Sequence, residues 1–228
     1  MKLPQPLIEG TFISRANRFA CWVKAPSQVL AHLPNSGRLH DLLVAGRSVY
    51  LHPAPGPERK TPYDLLLVSL GDQLVSVDAR LPSALVEEAL RARALAPFRD
   101  YTQLQREVFL GRKRLDFLLR QDGRECFLEV KSVTLVEGGV GLFPDAPTLR
   151  GREHLQALLQ ARQAGKGAAV AFIIQRRDAV AFSPHDATDP AFGQALRQAF
   201  RGGVQIHAFR CFVSREEVRI TQEIPVHL

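Results

Sequence analysis

The chain has 228 residues, of which 46% are apolar, and a formal net charge of +7 at pH 7. This apolar content is ordinary for a soluble globular protein and is sufficient for a proper core. No stretch approaches the roughly 18 uncharged apolar residues that a membrane-spanning helix needs. The segment from Met1 to Glu9 lacks the apolar centre of a signal peptide. We therefore expect a cytoplasmic protein without membrane association.

Cysteine and arginine usage narrows the class of protein. The three cysteines, Cys21, Cys126 and Cys211, lie far apart with no C-x-x-C pair, which indicates buried thiols rather than disulfides or a zinc site. Arginine outnumbers lysine by 24 to 6, and guanidinium groups match the geometry of phosphate. A basic chain is typical of proteins that bind polyanions. Codon bias in a GC-rich genome is the alternative explanation of the arginine excess.

The first third of the chain is predicted to be mostly β-structure. Gly71-Asp72 marks a hairpin between two apolar runs, and close spacing of short strands is typical of a small barrel or sandwich. The predicted strand regions are 12–25, 29–33, 48–52, 64–70 and 73–78.

Composition changes near residues 80–83, and helices then alternate with strands. Ser83 is the predicted N-cap of the first helix, and Thr148 that of a second helix, which Gly165 ends with Leu149, Leu155, Leu158 and Leu159 on one face. The apolar run 168–175 predicts a strand covered on both faces. The remaining predicted elements are strands at 107–110, 140–143, 204–213 and 217–221 and a helix at 190–200. This order indicates an α/β (α+β) class, with domains at 1–82 and 83–228.

Charged residues interrupt an apolar hairpin in the segment RLDFLLRQDGRECFLEVKSVTL. Asp122-Gly123 predicts a two-residue type I′ turn, which places Asp116 directly opposite Glu129 and Arg114 opposite Lys131. Opposed residues share a face of the sheet with Cβ atoms about 4.5–5.5 Å apart. Glu129 and Lys131 share that face because strands repeat every second residue. The sequence therefore predicts two acids and an amine side by side.

Two opposed carboxylates repel each other, and the cost is larger in an apolar setting. A proton on one acid, neutralisation by Lys131 and Arg114, or a divalent cation between the acids would each compensate. Two carboxylates with waters and a substrate phosphate suit Mg²⁺ or Mn²⁺. A solvent-facing ladder of ion pairs is the alternative, although Leu118 and Phe127 on the same face argue against it.

Phosphodiester hydrolysis is the chemistry that would use Asp116, Glu129 and Lys131 as catalytic residues. A metal held by Asp116 and Glu129 would polarise a phosphoryl oxygen and lower the pKa of a bound water. Lys131 would orient that water or stabilise developing negative charge. Because two carboxylates keep a nearby lysine protonated, electrostatic stabilisation is the role we expect for it.

The order of helix, Asp116, hairpin, Glu129-Val130-Lys131, helix and strand resembles the PD-(D/E)xK nuclease fold over residues 83–175, with Leu115 where that pattern has Pro. In many members the helix before the hairpin supplies a further acid. The resemblance therefore implies Glu88 as a third metal ligand, with Glu87 as its competitor. An exposed charge on the helix face is the alternative for both.

A second resemblance spans nearly the whole chain. The segments NSGRL, ALVEEAL, RLDF, EVKSVTL and above all FPDAPTLRGREHL resemble the sugar fermentation stimulation protein A (SfsA) family of bacteria and archaea. This resemblance implies an N-terminal OB-like β-barrel followed by a PD-(D/E)xK restriction-endonuclease-like domain. It also implies a sequence-nonspecific DNA-binding protein linked to sugar (maltose) metabolism.

Basic residues around the second predicted helix are candidate contacts to nucleic acid. Arg150, Arg152 and His154 fall in its first turns, where free N–H groups and the helix dipole attract phosphate. Arg114, on the hairpin, is a further candidate. For His154 the alternative is an ordinary polar surface residue. Asp145, just before this helix, is either a turn residue or an additional acid near the metal.

The first domain offers a second candidate surface, where Arg18, Trp22 and Lys24 are predicted to share one face of a strand. An aromatic ring between basic residues is how OB-type platforms hold single strands. Packing of Trp22 under a loop is the alternative. Arg59 and Lys60, in the Pro-rich loop, either reach the phosphate backbone or keep the loop soluble. The opposite face of the strand, expected toward the core, carries Phe19, Cys21 and Val23.

The sequence thus predicts a cytoplasmic protein that binds single- or double-stranded DNA with little sequence preference. It carries a candidate nuclease site that depends on Mg²⁺ or Mn²⁺. A DNA-binding regulator that uses the nuclease fold only as a platform is one alternative. An enzyme that processes RNA is another.

Overall fold

The structure, a computed structural model, describes residues 1–56 and 59–228. Among these residues no helix has both the length and the apolar character needed to span a membrane. The helices are α1 (Leu81–Arg91), α2 (Leu149–Gln163) and α3 (Pro190–Arg201). The strands are β1 (Ile8–Asn17), β2 (Ala20–Lys24), β3 (Gln28–His32), β4 (Ser48–Pro53), β5 (Tyr63–Leu70), β6 (Gln73–Ser76), β7 (Gln103–Leu110), β8 (Lys113–Gln121), β9 (Arg124–Val133), β10 (Leu135–Glu137), β11 (Val140–Phe143), β12 (Gly167–Ile174), β13 (Ala181–Pro184), β14 (Gln205–Val213) and β15 (Val218–Ile224).

The first six strands form one sheet in the order β3-β2-β1-β4-β5-β6. An additional parallel pairing of β3 with β5 closes the first five strands into a barrel, which removes most of the exposed sheet edge. Cys21 and Val23 of β2 face the barrel interior as expected. Phe19 does not: it lies in the turn between β1 and β2 and is exposed. The predicted hairpin at Gly71-Asp72 is confirmed as the turn between β5 and β6.

The second domain is built on a mixed sheet with the strand order β15-β14-β12-β9-β8-β7. β12 runs parallel to both β9 and β14, and all but its first residue are buried. The predicted doubly covered strand is therefore confirmed. A small sheet of β10, β11 and β13 lies beside the main one. The strand β11 was predicted at 140–143, whereas β10 and β13 were not predicted.

The two faces of the main sheet bury different cores. Phe117, Leu119 and Leu128 pack with α1 and with residues of the barrel, including Tyr50. Leu118 and Phe127 pack with α2 and α3 on the opposite face. The free thiols of all three cysteines are buried, in agreement with the sequence analysis. The sheet is therefore a middle layer, with α1 and the barrel on one side and α2 and α3 on the other.

The helix starts are partly as predicted. Thr148 caps α2, because its Oγ1 accepts a hydrogen bond from the Gly151 N–H at 3.0 Å. Leu149, placed on the core face by the sequence, is exposed instead. Ser83 is not an N-cap: α1 begins at Leu81, with Arg80 at the N-cap position and a proline in the first turn, where proline is well tolerated. Ser83 is thereby free to serve the site described below.

Candidate active site

The predicted hairpin register holds until it reaches Asp116. The pairs from Gln121–Arg124 to Phe117–Leu128 match the prediction. At Asp116 the ladder between β8 and β9 stops, so Arg114 does not lie opposite Lys131 as predicted. It pairs with Phe109 of β7, and its guanidinium approaches the Glu107 carboxylate at 3.4 Å.

The Asp116 carboxylate takes the place of the next rung of the ladder. Its Oδ2 accepts a hydrogen bond from the backbone N–H of Val130 at 2.8 Å, and its Oδ1 accepts one from the Ser83 hydroxyl of α1 at 3.2 Å. Two fixed donors hold the side chain between the strands and orient it. Asp116 therefore reaches the same site as Glu129, although by wedging into the sheet rather than by standing opposite it.

Glu129 lies at the bottom of the site, and only 4% of its surface is exposed. Its Oε1 accepts a hydrogen bond from Lys131 Nζ at 2.6 Å and a short one from His154 Nδ1. Its Oε2 is buried without a hydrogen-bond partner among the described residues. Since a buried acceptor without a partner costs free energy, this oxygen marks a place where a further positive group would be favourable.

His154 is the largest correction to the expected site. The sequence suggested a phosphate contact or polar surface, whereas the residue is buried on α2, with Glu129 on one ring nitrogen and Arg150 on the other. Arg150 Nε donates to Nε2 at 3.4 Å, and the tautomer with its proton on Nδ1 satisfies both contacts. Helical spacing carried a signal, because residue 154 lies at i+3 from the buried Gly151 and next to the buried Leu155.

The surroundings of Asp116 and Glu129 shift the pKa values of the two carboxyls in opposite directions. The pKa of Asp116 is raised, mainly because the carboxyl is buried and also because the Glu129 carboxylate repels its charge. Burial acts in the same direction on Glu129, but the Lys131 ammonium and the His154 hydrogen bond outweigh it and lower its pKa. The site thus stabilises the charge on Glu129 more than the charge on Asp116.

We expect Asp116→Asn to make the metal-free protein more stable near neutral pH, by up to about 1 kcal/mol, because it removes one of two like charges held together. A carboxyl whose pKa is raised on folding destabilises the folded state once pH rises above its unfolded value. The gain should therefore fade as pH falls below the ordinary aspartate range. Urea unfolding in EDTA at several pH values measures it, and equal stability of both proteins at neutral pH would contradict it.

These side chains open onto a cavity of about 400 Å³ that both domains line. Asp116, Glu129, Lys131 and Arg150 come from the second domain, and Arg18 and the Asn35–Gly37 segment from the barrel. Asp145 belongs to this boundary: its Oδ2 accepts a hydrogen bond from the Leu39 backbone N–H at 2.7 Å. The site is therefore a cleft between domains, which the local sequence pattern did not indicate.

The structure does not bring Glu88 to the two acids. Its carboxylate pairs with the amino group of Met1 at 3.1 Å, and it lines a separate groove between α1 and β15. Glu87 is held by Arg91 and Arg106 at 2.8 and 2.6 Å. The residue of α1 that reaches Asp116 is Ser83, because a helix side chain four or five residues further on lies another turn away. Glu88 is removed from the candidate metal ligands.

The other predicted nucleic-acid residues are dispersed. Arg18 lies in the turn before β2 and lines the cleft, whereas Trp22 is half-buried and Lys24 exposed outside it. Arg152 lines a different groove, between α2 and α3. Arg59 is tied to Asp64 of β5, while Lys60 is exposed beside it. Of this set, Arg18 and Arg150 are the residues that the structure brings to the acids.

The donor set fits a hard divalent cation that keeps part of its hydration shell. Among the described residues no group of three or more His, Cys, Asp or Glu side chains forms a preformed metal cage. Two carboxylates from neighbouring strands remain, and Mg²⁺ is commonly held by one or two carboxylates with water and phosphate completing its shell. The unpartnered Glu129 Oε2 gives such an ion a ligand that costs no existing hydrogen bond.

The chain matches two profiles in sequence. The profile described as the SfsA N-terminal OB domain matches residues 13–77, and the one described as the sugar fermentation stimulation protein RE domain matches residues 80–217. Two relatives are both called sugar fermentation stimulation protein homolog. The one from Moorella thermoacetica is 45% identical over 100% of both chains, and the one from Desulforamulus reducens is 46% identical over 99% of this chain and 94% of its own.

A solved structure agrees with this assignment. The Pyrococcus furiosus SfsA structure superposes with a TM-score of 0.91 at 31% sequence identity, over 100% of both chains. Fold and profiles together define a two-domain protein in which an OB barrel precedes a nuclease-like domain. The chain belongs to the SfsA family of sugar fermentation stimulation proteins.

Proposed function

We propose that this protein binds DNA with little sequence preference and hydrolyses its phosphodiester bonds at a PD-(D/E)xK site, with Asp116, Glu129 and Lys131 as catalytic residues. The observation that carries the proposal is the meeting of two carboxylates and an ammonium at the base of one cleft. Asp116 is held by Ser83 and the Val130 N–H, and Glu129 by Lys131 and His154, with one oxygen left over.

Asp116 and Glu129 are the residues that would hold Mg²⁺ or Mn²⁺ in this proposal. A bound divalent ion supplies Lewis acidity to a phosphoryl oxygen and lowers the pKa of water. The relative from Pyrococcus furiosus was solved in complex with Ca²⁺, which supports cation binding by a chain of this fold. The Val130 N–H and the Ser83 hydroxyl keep the Asp116 carboxylate in place, and neither donor carries a charge.

Basic groups of the cleft supply the remaining charge. Lys131 stabilises negative charge as it develops on the phosphate, because its ammonium is already fixed at the carboxylates and needs no reorganisation. Arg150 and Arg18 line the cleft from different domains and are suited to hold the phosphates next to the reacting one. A cleft of about 400 Å³ bounded by both domains suits an unpaired strand better than a duplex.

The test is a cleavage assay on single- and double-stranded DNA with Mg²⁺ or Mn²⁺, in which wild type is compared with Glu129→Gln. Glutamine keeps the size of the side chain but removes the charge, so we expect Mn²⁺ binding by calorimetry and cleavage to be lost together. Removing one strong electrostatic group typically costs about 100- to 1,000-fold in rate. DNA binding in EDTA should survive the substitution and should weaken steeply with salt.

One alternative to catalysis is a regulator that binds DNA through the same surfaces. Equal trace cleavage by wild type and Glu129→Gln would indicate contamination, and salt-sensitive binding without cleavage would then favour the regulator. Preferential cleavage of RNA would redirect the assignment of the substrate while leaving the site intact. Absence of any nucleic-acid binding would contradict the proposed function altogether.

A further inference from the structure

The hairpin of β7 and β8 extends beyond the sheet next to the cleft. β9 pairs with β8 from Phe117 to Gln121, so the earlier part of β8 is paired with the edge strand β7 alone. The turn of this hairpin, Gly111-Arg112, is exposed. A two-stranded ribbon therefore projects from the point at which Asp116 enters the site.

One face of this ribbon is anchored to the rest of the protein. Val108 and Leu115 are buried in the core beneath α2, and Leu110 packs against it. Lys113 pairs with Glu153 of α2 at 2.7 Å. These contacts hold the ribbon in one orientation. Its other face is therefore exposed in a fixed position.

The open face carries a large aromatic residue. Phe109 is 71% exposed and lies directly opposite Arg114. Strand alternation places both on the side away from Val108 and Leu115. Arg114 is two residues from Asp116, about 6.6 Å along a strand. The ring and the guanidinium therefore lie on the open face of the ribbon, close in sequence to Asp116.

The charged residues around Phe109 indicate which kind of partner binds over the ring. Arg112 at the tip forms no ion pair within residues 1–56 and 59–228, and Arg114 has one exposed partner, Glu107, at 3.4 Å. A protein partner or a second copy of this chain would favour a continuous apolar patch, whereas Phe109 stands alone among charged side chains. An aromatic ring flanked by guanidinium groups is suited to an unpaired base and its phosphates.

We propose that Phe109 stacks on an unpaired base of a bound nucleic acid strand, while Arg112 and Arg114 contact the adjacent phosphates. The hairpin of β7 and β8 is then an arm that holds the strand as it leaves the cleft. This inference rests on the proposed function, because it assumes that a strand occupies the cleft. It adds a binding surface outside the acidic site and favours single-stranded or frayed substrates.

The experiment measures binding of a single-stranded oligonucleotide containing 2-aminopurine, in EDTA so that no cleavage occurs. Loss of one base–aromatic stack typically weakens binding by about 5- to 150-fold. We expect that loss for Phe109→Ala, with the fluorescence change of 2-aminopurine removed, and recovery for Phe109→Trp. Phe200→Ala is the matched control, since Phe200 on α3 is 55% exposed and lies outside the arm. Arg114→Gln should lower the salt slope of log K by about 0.7.

Binding by Phe109→Ala within twofold of wild type would overturn the inference while leaving the proposed function standing. Light scattering adds a second check: a dimer of the wild-type chain that Phe109→Ala dissolves, with DNA affinity unchanged, would assign the surface to self-association instead. If the wild-type protein binds no oligonucleotide, the proposed function fails first and the inference fails with it. Equal melting temperatures of the variants confirm that the fold is intact.

Discussion

Lys131→Met is expected to bind Mn²⁺ at least as tightly as the wild-type protein and yet cleave DNA about 100- to 1,000-fold more slowly, the usual cost of removing one preorganised electrostatic group. The ammonium of Lys131 lies 2.6 Å from Glu129 Oε1, so in the metal-free protein it supplies the positive charge that the buried carboxylate needs. Removing it takes away a cation that competes with the metal ion and leaves His154 as the hydrogen-bond donor to that oxygen.

This combination of results separates Lys131 from the two acids. Methionine preserves most of the side-chain length and its apolar packing, so the change is mainly the loss of charge. If the lysine acts on the phosphate, affinity for the ion and rate of cleavage move in opposite directions. If it only holds Glu129 in place, both fall together. Calorimetry with Mn²⁺ and a single-turnover cleavage assay, each run on the same preparation, measure the two quantities.

Lys166→Met is the matched control. Lys166 also pairs with a glutamate of β9, since its Nζ lies 2.9 Å from Glu125 Oε2, but that pair is at the opposite end of the strand and its side chains are 43% and 28% exposed. Exposed ion pairs contribute little, and we expect the control to match wild type in both assays. Cleavage by Lys131→Met within threefold of the wild-type rate would remove the lysine from the catalytic set.

The hairpin shows which part of the site the sequence could predict. Asp122-Gly123 is a local signal, and a two-residue turn determines which residues pair next to it. The register therefore followed from residues that are neighbours in the chain. Asp116 leaves that register because its carboxylate binds Val130 N–H and the Ser83 hydroxyl. That choice depends on where α1 docks, which no turn signal encodes.

His154 and Glu88 also show what local sequence signals could not predict. The sequence placed both on helices correctly, yet their roles depend on the rotation of each helix about its axis. The packing of α2 turns His154 inward against Glu129, and the packing of α1 presents Ser83 rather than Glu88 to the strands. The cleft is harder still to predict, because Asp145 and the Leu39 backbone meet across 106 positions of sequence.

Replacing Arg176 by alanine should weaken the contact between the two domains and lower the free energy of unfolding. Arg176 is 3% exposed. Its Nη1 donates to the Asp41 carboxylate of the barrel at 3.0 Å and to the Thr134 carbonyl of the second domain at 2.9 Å, and its Nη2 donates to Asp178 at 2.7 Å. Removing one member of a buried ion pair typically costs about 3–5 kcal/mol, because the partner charges lose their compensation. The side chains of Asp41 and Asp178 are 31% and 36% exposed, which puts Arg176→Ala at the lower end of that range, about 3 kcal/mol. We expect a loss of that size in the free energy of unfolding.

Arg177→Ala is the control for Arg176→Ala, and the pH dependence of the stability difference is a second test. Arg177 pairs with Asp72 at 2.5 Å, but both side chains are largely exposed, so Arg177→Ala should cost about 0–1 kcal/mol.

Burial tends to raise the pKa of Asp178, but the hydrogen bond and charge of Arg176 outweigh it and lower that pKa. A carboxyl with a lowered pKa adds stability above its unfolded pKa, and that stability is lost as pH falls through the folded value. The difference between wild type and Arg176→Ala should therefore shrink in acid. Urea unfolding at neutral pH and near pH 3 tests both points, and a loss at neutral pH no larger than that of Arg177→Ala would show that Arg176 does not hold the cleft together.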